Sequence, residues 1–270
     1  MDKTVVNPKK SLGQNFLKDE NIARKIISNL SLTSKDYVLE IGPGTGVLTK
    51  YLVERAKRIV AVEIDKDLIQ QLLKQFCTRD NLFLYHEDIL KISFEEILKG
   101  NQSWKVAANL PYHITSPALF KLFDHRKFFT SAILMVQKEV AERIVALPGS
   151  KAYGILSIFS QFHADVKKIF NVSQHVFFPK PEISSAVIRL DFKHIELLDL
   201  QDELLFRQIV KRVFGQRRKM LKNSLRSSFN NEIDLTRLNF DLDQRPEDVS
   251  VQGFIELTRQ INRLDQNSVI

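Results

Sequence analysis

The chain has 270 residues, 44% of them hydrophobic and 27% charged, which suits one large globular domain and a small one. No run approaches the roughly 18 consecutive apolar residues of a membrane helix, and the polar N-terminus lacks a signal-peptide core. One cysteine, Cys77, permits no internal disulfide, and the six histidines are not spaced like zinc ligands. We therefore expect a cytoplasmic protein with no membrane anchor and no metal.

Strand and helix patterns alternate over the first two-thirds of the chain. The predicted strands are 37–41, 58–63, 81–86, 104–108 and 131–136, and the helices that follow them are 47–54, 66–76, 93–98, 116–123 and 138–146. Ser93 is a suitable N-cap for its helix. This alternation is typical of βαβ units and predicts a doubly wound, mostly parallel sheet.

The alternation stops after residue 146. Turn residues fill 147–154, and a helix is predicted over 155–162. Strands 166–172 and 184–192 have no full crossover helix between them, so we expect an antiparallel hairpin at the sheet edge. Helical periodicity then covers 204–213, 219–229 and 251–264. We place a domain boundary near 193–196, which gives a catalytic domain of residues 1–195 and a small helical domain of residues 196–270.

A glycine-rich turn, Glu40–Gly46, lies between the first of these strands and its helix. Glycines at such a turn permit a tight bend and a close approach of the backbone to a nucleotide-like ligand, although nicotinamide and flavin sites use similar turns. Glu63 ends the next strand, at the distance expected for a ribose-hydroxyl acceptor. Asp88 follows the third strand and can accept a hydrogen bond from an adenine amino group. The alternative is that each acid caps the helix after it.

The tetrapeptide Asn109–Tyr112 follows the fourth strand. An adenine amino nitrogen is a weak nucleophile, and acceptors on its N–H groups stabilise the positive charge that develops there during alkylation. The Asn109 oxygen and a carbonyl near Leu110 or Pro111 are such acceptors, and Tyr112 can stack on a base that has left its own stack. No strong base is needed, so we expect the adjacent His113 to be an ordinary surface residue.

Together, the glycine turn, the acids and the tetrapeptide favour methyl transfer from S-adenosyl-L-methionine to a nucleobase amine. A second aromatic can come from the proline-rich loop 176–185, but the residues leave open whether Phe177 or Phe178 faces the base or both lie in the core.

A basic block accounts for the whole formal net charge of +8. It contains no acid and consists of Arg207, Lys211, Arg212, Arg217, Arg218, Lys219, Lys222 and Arg226. A solvated helix face would usually interleave acids, so this block favours contact with nucleic acid.

These motifs resemble those of the bacterial small-subunit ribosomal RNA adenine dimethyltransferases, the KsgA/RsmA type. The resemblance runs nearly end to end and rests on the segments 10–17, 40–46, 109–112, 150–154, 177–185 and 214–225, with Glu63 and Asp88. It implies a Rossmann-like class I methyltransferase fold. It also implies S-adenosyl-L-methionine as the cofactor and S-adenosylhomocysteine as the product.

The resemblance also implies roles for individual residues. The expected cofactor contacts are Gln14, Asn15, Leu17, Gly42, Gly44, Glu63, Asp88 and Asn109. The expected target-base pocket is formed by Asn109, Leu110, Pro111, Tyr112 and Phe177, which selects Phe177 over Phe178. The RNA-binding residues would be Arg217, Arg218, Lys219 and Lys222.

The implied reaction is N6,N6-dimethylation of two adjacent adenines in the 3′-terminal hairpin loop of 16S rRNA, within the immature 30S subunit. Two alternatives stay open: a resistance-type adenine methylase of large-subunit rRNA, and a non-catalytic assembly factor. A monomer is the default expectation, because no sequence feature indicates oligomerisation.

Overall fold

The computed structural model describes residues 7–100, 102–194, 198–228 and 234–266. They divide into two compact units: the described residues of 7–141 with 163–194, and those of 142–162 with 198–266. The first unit ends at residue 194, inside the predicted boundary region. A single cut at residue 195 is nevertheless wrong for residues 142–162, which group with the C-terminal helices. Aromatic packing explains this, because the Phe162 ring stacks 4.4 Å from that of Phe206.

Nine strands and ten α-helices are found in the described parts of the chain. The strands are β1 (Phe16–Leu17), β2 (Tyr37–Ile41), β3 (Arg58–Glu63), β4 (Leu82–His86), β5 (Trp104–Asn109), β6 (Phe129–Gln137), β7 (Ala164–Val172), β8 (Phe177–Phe178) and β9 (Ser185–Phe192). The helices are α1 (Glu20–Ser28), α2 (Thr49–Leu52), α3 (Lys66–Gln75), α4 (Phe94–Ile97), α5 (Thr115–Asp124), α6 (Lys138–Ile144), α7 (Ile155–His163), α8 (Leu200–Phe214), α9 (Leu221–Ser228) and α10 (Val251–Gln266).

Seven strands form the main sheet of the first unit, in the order β4-β3-β2-β5-β6-β9-β7. The first five pair in parallel, whereas β9 is antiparallel to both β6 and β7. The predicted parallel sheet with an antiparallel edge hairpin is therefore confirmed. Central strands β2 and β3 are buried along almost their whole length, as strands covered on both faces must be.

The helix starts use short polar caps. Asp19 caps α1 by accepting from two backbone N–H groups, and Ser93 caps α4 as predicted. Asp65 caps α3. The helix predicted over 47–54 is shorter than expected, because α-helical geometry covers only α2.

The parallel strands bring their carboxyl ends to one edge of the sheet. In register, Ile41 lies beside Val62 and Ala108, and Glu63 lies beside His86. The residues after β2, β4 and β5 therefore meet at that edge, where open α/β sheets bind ligands.

A second, two-stranded sheet joins distant parts of the first unit. β1 pairs antiparallel with β8, with Phe16 beside Phe178 and Leu17 beside Phe177. Beyond the strands, the Lys18 N–H donates to the Val176 carbonyl at 2.8 Å. This pairing fastens the N-terminal segment to the proline-rich loop.

The second unit has its own core, built from α8, α9 and α10 with part of the segment 142–162. Phe206 and Phe254 are fully buried in it. The buried Tyr153 hydroxyl donates to the Val249 carbonyl at 3.0 Å. No helix in the described residues has the length and apolar character needed to cross a membrane.

Candidate active site

A cavity of about 190 Å³ lies at the carboxyl edge of the parallel strands. Every residue predicted to contact cofactor or target base lines it, namely Gln14, Asn15, Leu17, Gly42, Gly44, Glu63, Asp88, Asn109, Leu110, Pro111, Tyr112 and Phe177. The structure therefore gathers residues that are up to 163 positions apart into one site. Their individual contacts with ligands stay predictions.

The glycine turn forms the floor of the cavity. Gly42 and Gly44 have φ angles of 64° and 57°, a region that residues with a Cβ rarely adopt. A Cβ at Gly44 would also lie 3.2 Å from a ring carbon of Phe16. Any side chain at Gly44 would therefore be strained and would crowd the β1 segment that covers the turn.

Glu63 is held by the backbone around it. Its two carboxylate oxygens accept from the N–H groups of Gly44, at 3.1 Å, and Asp65, at 3.0 Å. Burial raises the pKa of Glu63, and the backbone hydrogen bonds oppose that rise. The cap of α3 is Asp65, so the helix-cap alternative for Glu63 is wrong.

Asp88 keeps one oxygen for a ligand. Its Oδ1 accepts from the Leu90 N–H at 2.9 Å, which fixes the turn after β4. Ser93, not Asp88, caps α4. The remaining oxygen can accept a hydrogen bond from an amino group in the cavity.

Glu40 is the most strongly perturbed acid of the cavity wall. It is 1% exposed, and its Oε2 accepts from the Thr49 hydroxyl at 2.8 Å. Burial raises the pKa of Glu40 to about 8, and the nearby Glu63 adds to the rise. Among the described residues, nothing donates to its Oε1. A buried acceptor without a donor is costly, so this atom suits a cationic ligand group.

Asn109 is oriented by the N-terminal segment. Its Nδ2 donates to the Asn15 carbonyl at 3.1 Å, which leaves Oδ1 to accept from another group. The Pro111 carbonyl accepts from Ile114 N–H and from Thr115 Oγ1, both at 3.2 Å. No donor among the described residues reaches the Leu110 carbonyl. Of the two backbone acceptors that the sequence left open, Leu110 is therefore the available one.

Two aromatic side chains complete the target side of the cavity. The Tyr112 hydroxyl lies 3.0 Å from the Ser185 hydroxyl, and burial raises the pKa of Tyr112. Phe177 is 4% exposed and lines the cavity, whereas Phe178 is 48% exposed. The alternating directions of neighbouring strand residues explain why only Phe177 faces inward.

Gln14 lines the cavity, but its amide is already engaged. Its oxygen accepts from the Lys9 N–H at 2.7 Å, and its nitrogen donates to Asp65 at 2.8 Å. Lys9 also pairs with Asp65 at 2.6 Å. The hydrogen bonds of Gln14 therefore connect the N-terminal segment to Asp65, the N-cap of α3.

Sequence reasoning missed three contributors to this site. Phe16 packs over Gly44, Ser185 bonds to Tyr112, and Asp65 holds Gln14. Phe16 and Ser185 both lie inside motifs that the sequence analysis singled out. Their partners are distant in sequence, so the motifs alone did not reveal these contacts.

The basic block divides into paired and exposed residues within the second unit. Arg217 pairs with Glu247 and donates to the Lys151 carbonyl at 2.9 Å, and Lys222 pairs with Asp243. Arg218 and Lys219 are exposed and have no ion-pair partner among the described residues. Of the four predicted RNA contacts, these two are free to bind phosphate.

Comparison with known proteins identifies the family. The family described as ribosomal RNA adenine dimethylase matches residues 5–262. The chain belongs to this family. Ribosomal RNA small subunit methyltransferase A of Mycoplasma mobile is 43% identical over 262 residues, spanning 95% of this chain and 99% of the relative.

Solved structures agree with this assignment. A dimethyladenosine transferase from Plasmodium falciparum is 30% identical, has a TM-score of 0.79, and covers 93% of this chain and 98% of its own. The 23S rRNA methyltransferase ErmE has a TM-score of 0.70 and covers 92% of this chain and 99% of its own, but at 21% identity it shows the fold alone.

The family membership confirms the predicted resemblance and reaction class. The protein is a ribosomal RNA adenine dimethyltransferase, and its cofactor is S-adenosyl-L-methionine. The cavity fits this cofactor, which carries an ammonium group, ribose hydroxyls and an adenine amino group. The donor-free oxygen of Glu40 suits the ammonium, Glu63 the hydroxyls, and the second Asp88 oxygen the adenine amino group.

Proposed function

We propose that this enzyme dimethylates N6 of two adjacent adenines in the 3′-terminal hairpin loop of 16S rRNA, acting on the immature 30S subunit in the cytoplasm. The observation that carries the proposal is the orientation of Asn109 at the end of β5, in the same cavity as Glu63 and Asp88. A protein named as a small-subunit methyltransferase, 43% identical over nearly the whole chain, supports the choice of subunit.

The chemistry follows from the acceptors at the end of β5. S-adenosyl-L-methionine, when bound, supplies an electrophilic methyl group. Asn109 Oδ1 and the Leu110 carbonyl accept hydrogen bonds from the two N–H groups of the adenine amino group. These bonds orient the lone pair of the nitrogen towards that methyl group. The two acceptors also stabilise the positive charge that develops on nitrogen, because they are fixed before the reaction starts.

The aromatic residues select and hold the base. A target adenine must leave its stack to enter the cavity, and Tyr112 and Phe177 offer flat apolar faces in exchange. The Ser185 contact fixes the Tyr112 hydroxyl, so the ring cannot turn away from the base. After the first methyl transfer the nitrogen loses one proton to solvent. It retains one N–H bond, which one acceptor can still hold for the second transfer.

The RNA contacts of this proposal come from the second unit. Arg218 and Lys219 are the members of the predicted set that lack an ion-pair partner among the described residues. Lysine and arginine side chains of this kind neutralise phosphates and make binding salt-dependent. Arg217 and Lys222 instead form ion pairs within the second unit, with Glu247 and Asp243. We propose that the enzyme acts as a monomer.

A methylation assay tests the proposal. The purified protein would be incubated with S-adenosyl-L-methionine and with small subunits from a strain lacking the modification. N6,N6-dimethyladenosine would then be measured by nucleoside mass spectrometry and mapped on the RNA. We expect product at the adjacent adenines of the 3′ hairpin.

Parallel reactions with large subunits separate the alternatives. Product on large-subunit RNA only would overturn the proposed substrate and favour the resistance-type methylase. Absence of product on both subunits, with the cofactor bound, would favour a non-catalytic assembly factor.

A further inference from the structure

Two lysine–phenylalanine pairs lie on the surface of the first unit. The Lys18 ammonium lies 4.3 Å from the ring centroid of Phe178, and the Lys25 ammonium lies 4.1 Å from that of Phe170. Both pairs join the same two stretches of chain, residues 18–25 and 170–178, which run in opposite directions. We call these four residues the Lys–Phe strip.

The Lys–Phe strip begins at the rim of the cavity. Phe178 directly follows Phe177, which lines the cavity. Across the two-stranded sheet, Phe178 pairs with Phe16, which also lines the cavity. Phe178 therefore adjoins cavity-lining residues on both β1 and β8.

The lysines of the strip have no acidic partner, because the acids nearest to them in sequence are used elsewhere. Among the described residues, neither Lys18 nor Lys25 forms an ion pair. Asp19 caps α1, and Glu20 binds Lys50 at 2.8 Å. The strip therefore presents positive charge to its surroundings, as a surface that binds a polyanion would.

Phe178 is a large apolar residue that the fold leaves partly in solvent. It is 48% exposed, although its neighbour Phe177 is buried. An exposed aromatic ring beside an uncompensated lysine is the combination that single-stranded nucleic-acid sites use, with bases on rings and phosphates beside cations.

Lys167 and Lys168 are also exposed, on the same edge strand β7 that carries Phe170. Lysines there also discourage unwanted strand pairing, so they are not part of the strip.

We propose that the Lys–Phe strip binds the single-stranded RNA that flanks the target adenine. A flanking base stacks on Phe178, and the phosphates of that strand lie beside Lys18 and Lys25. This inference rests on the proposed function, because an unpaired hairpin loop supplies the flanking nucleotides. It adds a binding surface in the first unit to the basic residues of the second.

Substitutions in the strip test it through RNA binding. With the full-length protein and unmodified small subunits, Phe178→Leu should weaken binding about fivefold, the lower end of what one base–aromatic stack contributes. Lys18→Gln with Lys25→Gln should reduce the salt dependence of binding by about 1.4 in log–log slope, at about 0.7 per phosphate contact to a single strand. Cofactor affinity should be unchanged in both variants, which also verifies that they fold.

The chain offers a matched control at the opposite edge of the main sheet. Phe83 on β4 is 37% exposed, and Arg58 lies 3.9 Å from its ring centroid. Phe83→Leu should bind RNA like the wild type. Phe178→Tyr keeps an aromatic face and should also retain wild-type affinity.

The outcomes separate the strip from the proposed function. Suppose that the wild-type protein methylates small subunits and that the strip variants keep its RNA affinity and salt slope. That result overturns the RNA-binding role of the strip and leaves the proposed function intact. Equal weakening by Phe178→Leu and Phe83→Leu also overturns it. No wild-type product on either subunit overturns the proposed function, and the strip with it.

Discussion

The charged residues of the cavity and those of the basic block differ in burial and in their partners. In the cavity, Glu40 and Glu63 are buried and bonded to groups near them in the fold, and burial raises the pKa of both. In the basic block, Arg218 and Lys219 stay exposed while Arg217 and Lys222 are paired. Burial makes a catalytic site specific, whereas exposure leaves a cation available to a large polyanion.

The two regions differ in how directly the sequence indicates the role of each residue. The motif residues that follow the parallel strands meet because the strand ends share an edge of the sheet. Residues 14–17 and Phe177 reach the cavity through the pairing of β1 with β8. Charge counting alone did not reveal that two of the four predicted RNA contacts, Arg217 and Lys222, form ion pairs within the chain. Substitutions in the two regions test this contrast directly.

The largest expected effect comes from Asn109→Ala. Loss of a fixed hydrogen-bond partner of the reacting group should lower kcat about 10²- to 10³-fold. Small-subunit binding should be nearly unchanged, because Asn109 contacts only the target base and the other proposed RNA contacts lie elsewhere. Single-turnover methylation and subunit binding would be measured together, with the exposed Asn239→Ala as control. Loss of binding and methylation in parallel would contradict a purely catalytic role.

Glu40→Gln tests whether burial controls the acids of the cavity. The folded wild type retains a proton up to pH about 8 that an unfolded chain loses above about 4.5, so its stability falls as pH rises between those values. Glutamine does not titrate. At pH 8 and without cofactor, the variant should therefore be more stable than the wild type by a few kcal/mol and should unfold at a higher temperature. This difference in stability should shrink towards pH 5.

Cofactor binding gives Glu40→Gln a second readout. The variant should bind S-adenosyl-L-methionine more weakly, because it lacks the carboxylate proposed to receive the ammonium. The exposed Glu54→Gln provides a matched control. A stability difference that is the same at pH 5 and pH 8 would count against the raised pKa.

Arg218 and Arg217 give a direct comparison inside the basic block. Arg218→Ala with Lys219→Ala should reduce the salt slope of subunit binding by about 1.4 for single-stranded contacts or about 1.8 for duplex contacts, at unchanged thermal stability. Arg217→Ala should instead cost about 1 kcal/mol of stability, because it removes a partly exposed ion pair and a bond to the Lys151 carbonyl. Thermal melts and binding measurements at several salt concentrations would check both predictions. A lower melting temperature for the Arg218 and Lys219 variant, or a smaller salt slope for Arg217→Ala alone, would contradict this division of roles.

The smallest expected effect concerns the contact between Tyr112 and Ser185. Ser185→Ala and Tyr112→Phe each remove one neutral hydrogen bond, so each should lower kcat a few-fold with little change in KM for the cofactor. If the hydroxyl pair acts as a unit, the double variant should be no worse than the poorer single variant. Additive losses would show that the two residues act separately.

Local sequence was sufficient for most of the first unit. The predicted bounds of β2 and β3 match the structure residue for residue, because buried parallel strands are short apolar runs with sharp ends. Gly42, Glu63, Asp88 and Asn109 followed from their places at strand ends. The pairing of β1 with β8 did not, since each strand is only two residues long and its partner lies about 160 positions away.

Local periodicity and short motifs were enough to predict the doubly wound sheet, the order of the strand-end residues and the family. Three features became visible only in the folded chain: Gln14 binds Asp65, residues 142–162 group with the second unit, and some of the basic residues are paired. The tertiary structure also decided between Phe177 and Phe178 as the inward ring on physical grounds. Such outcomes depend on which distant side chains meet, and no local pattern encodes that.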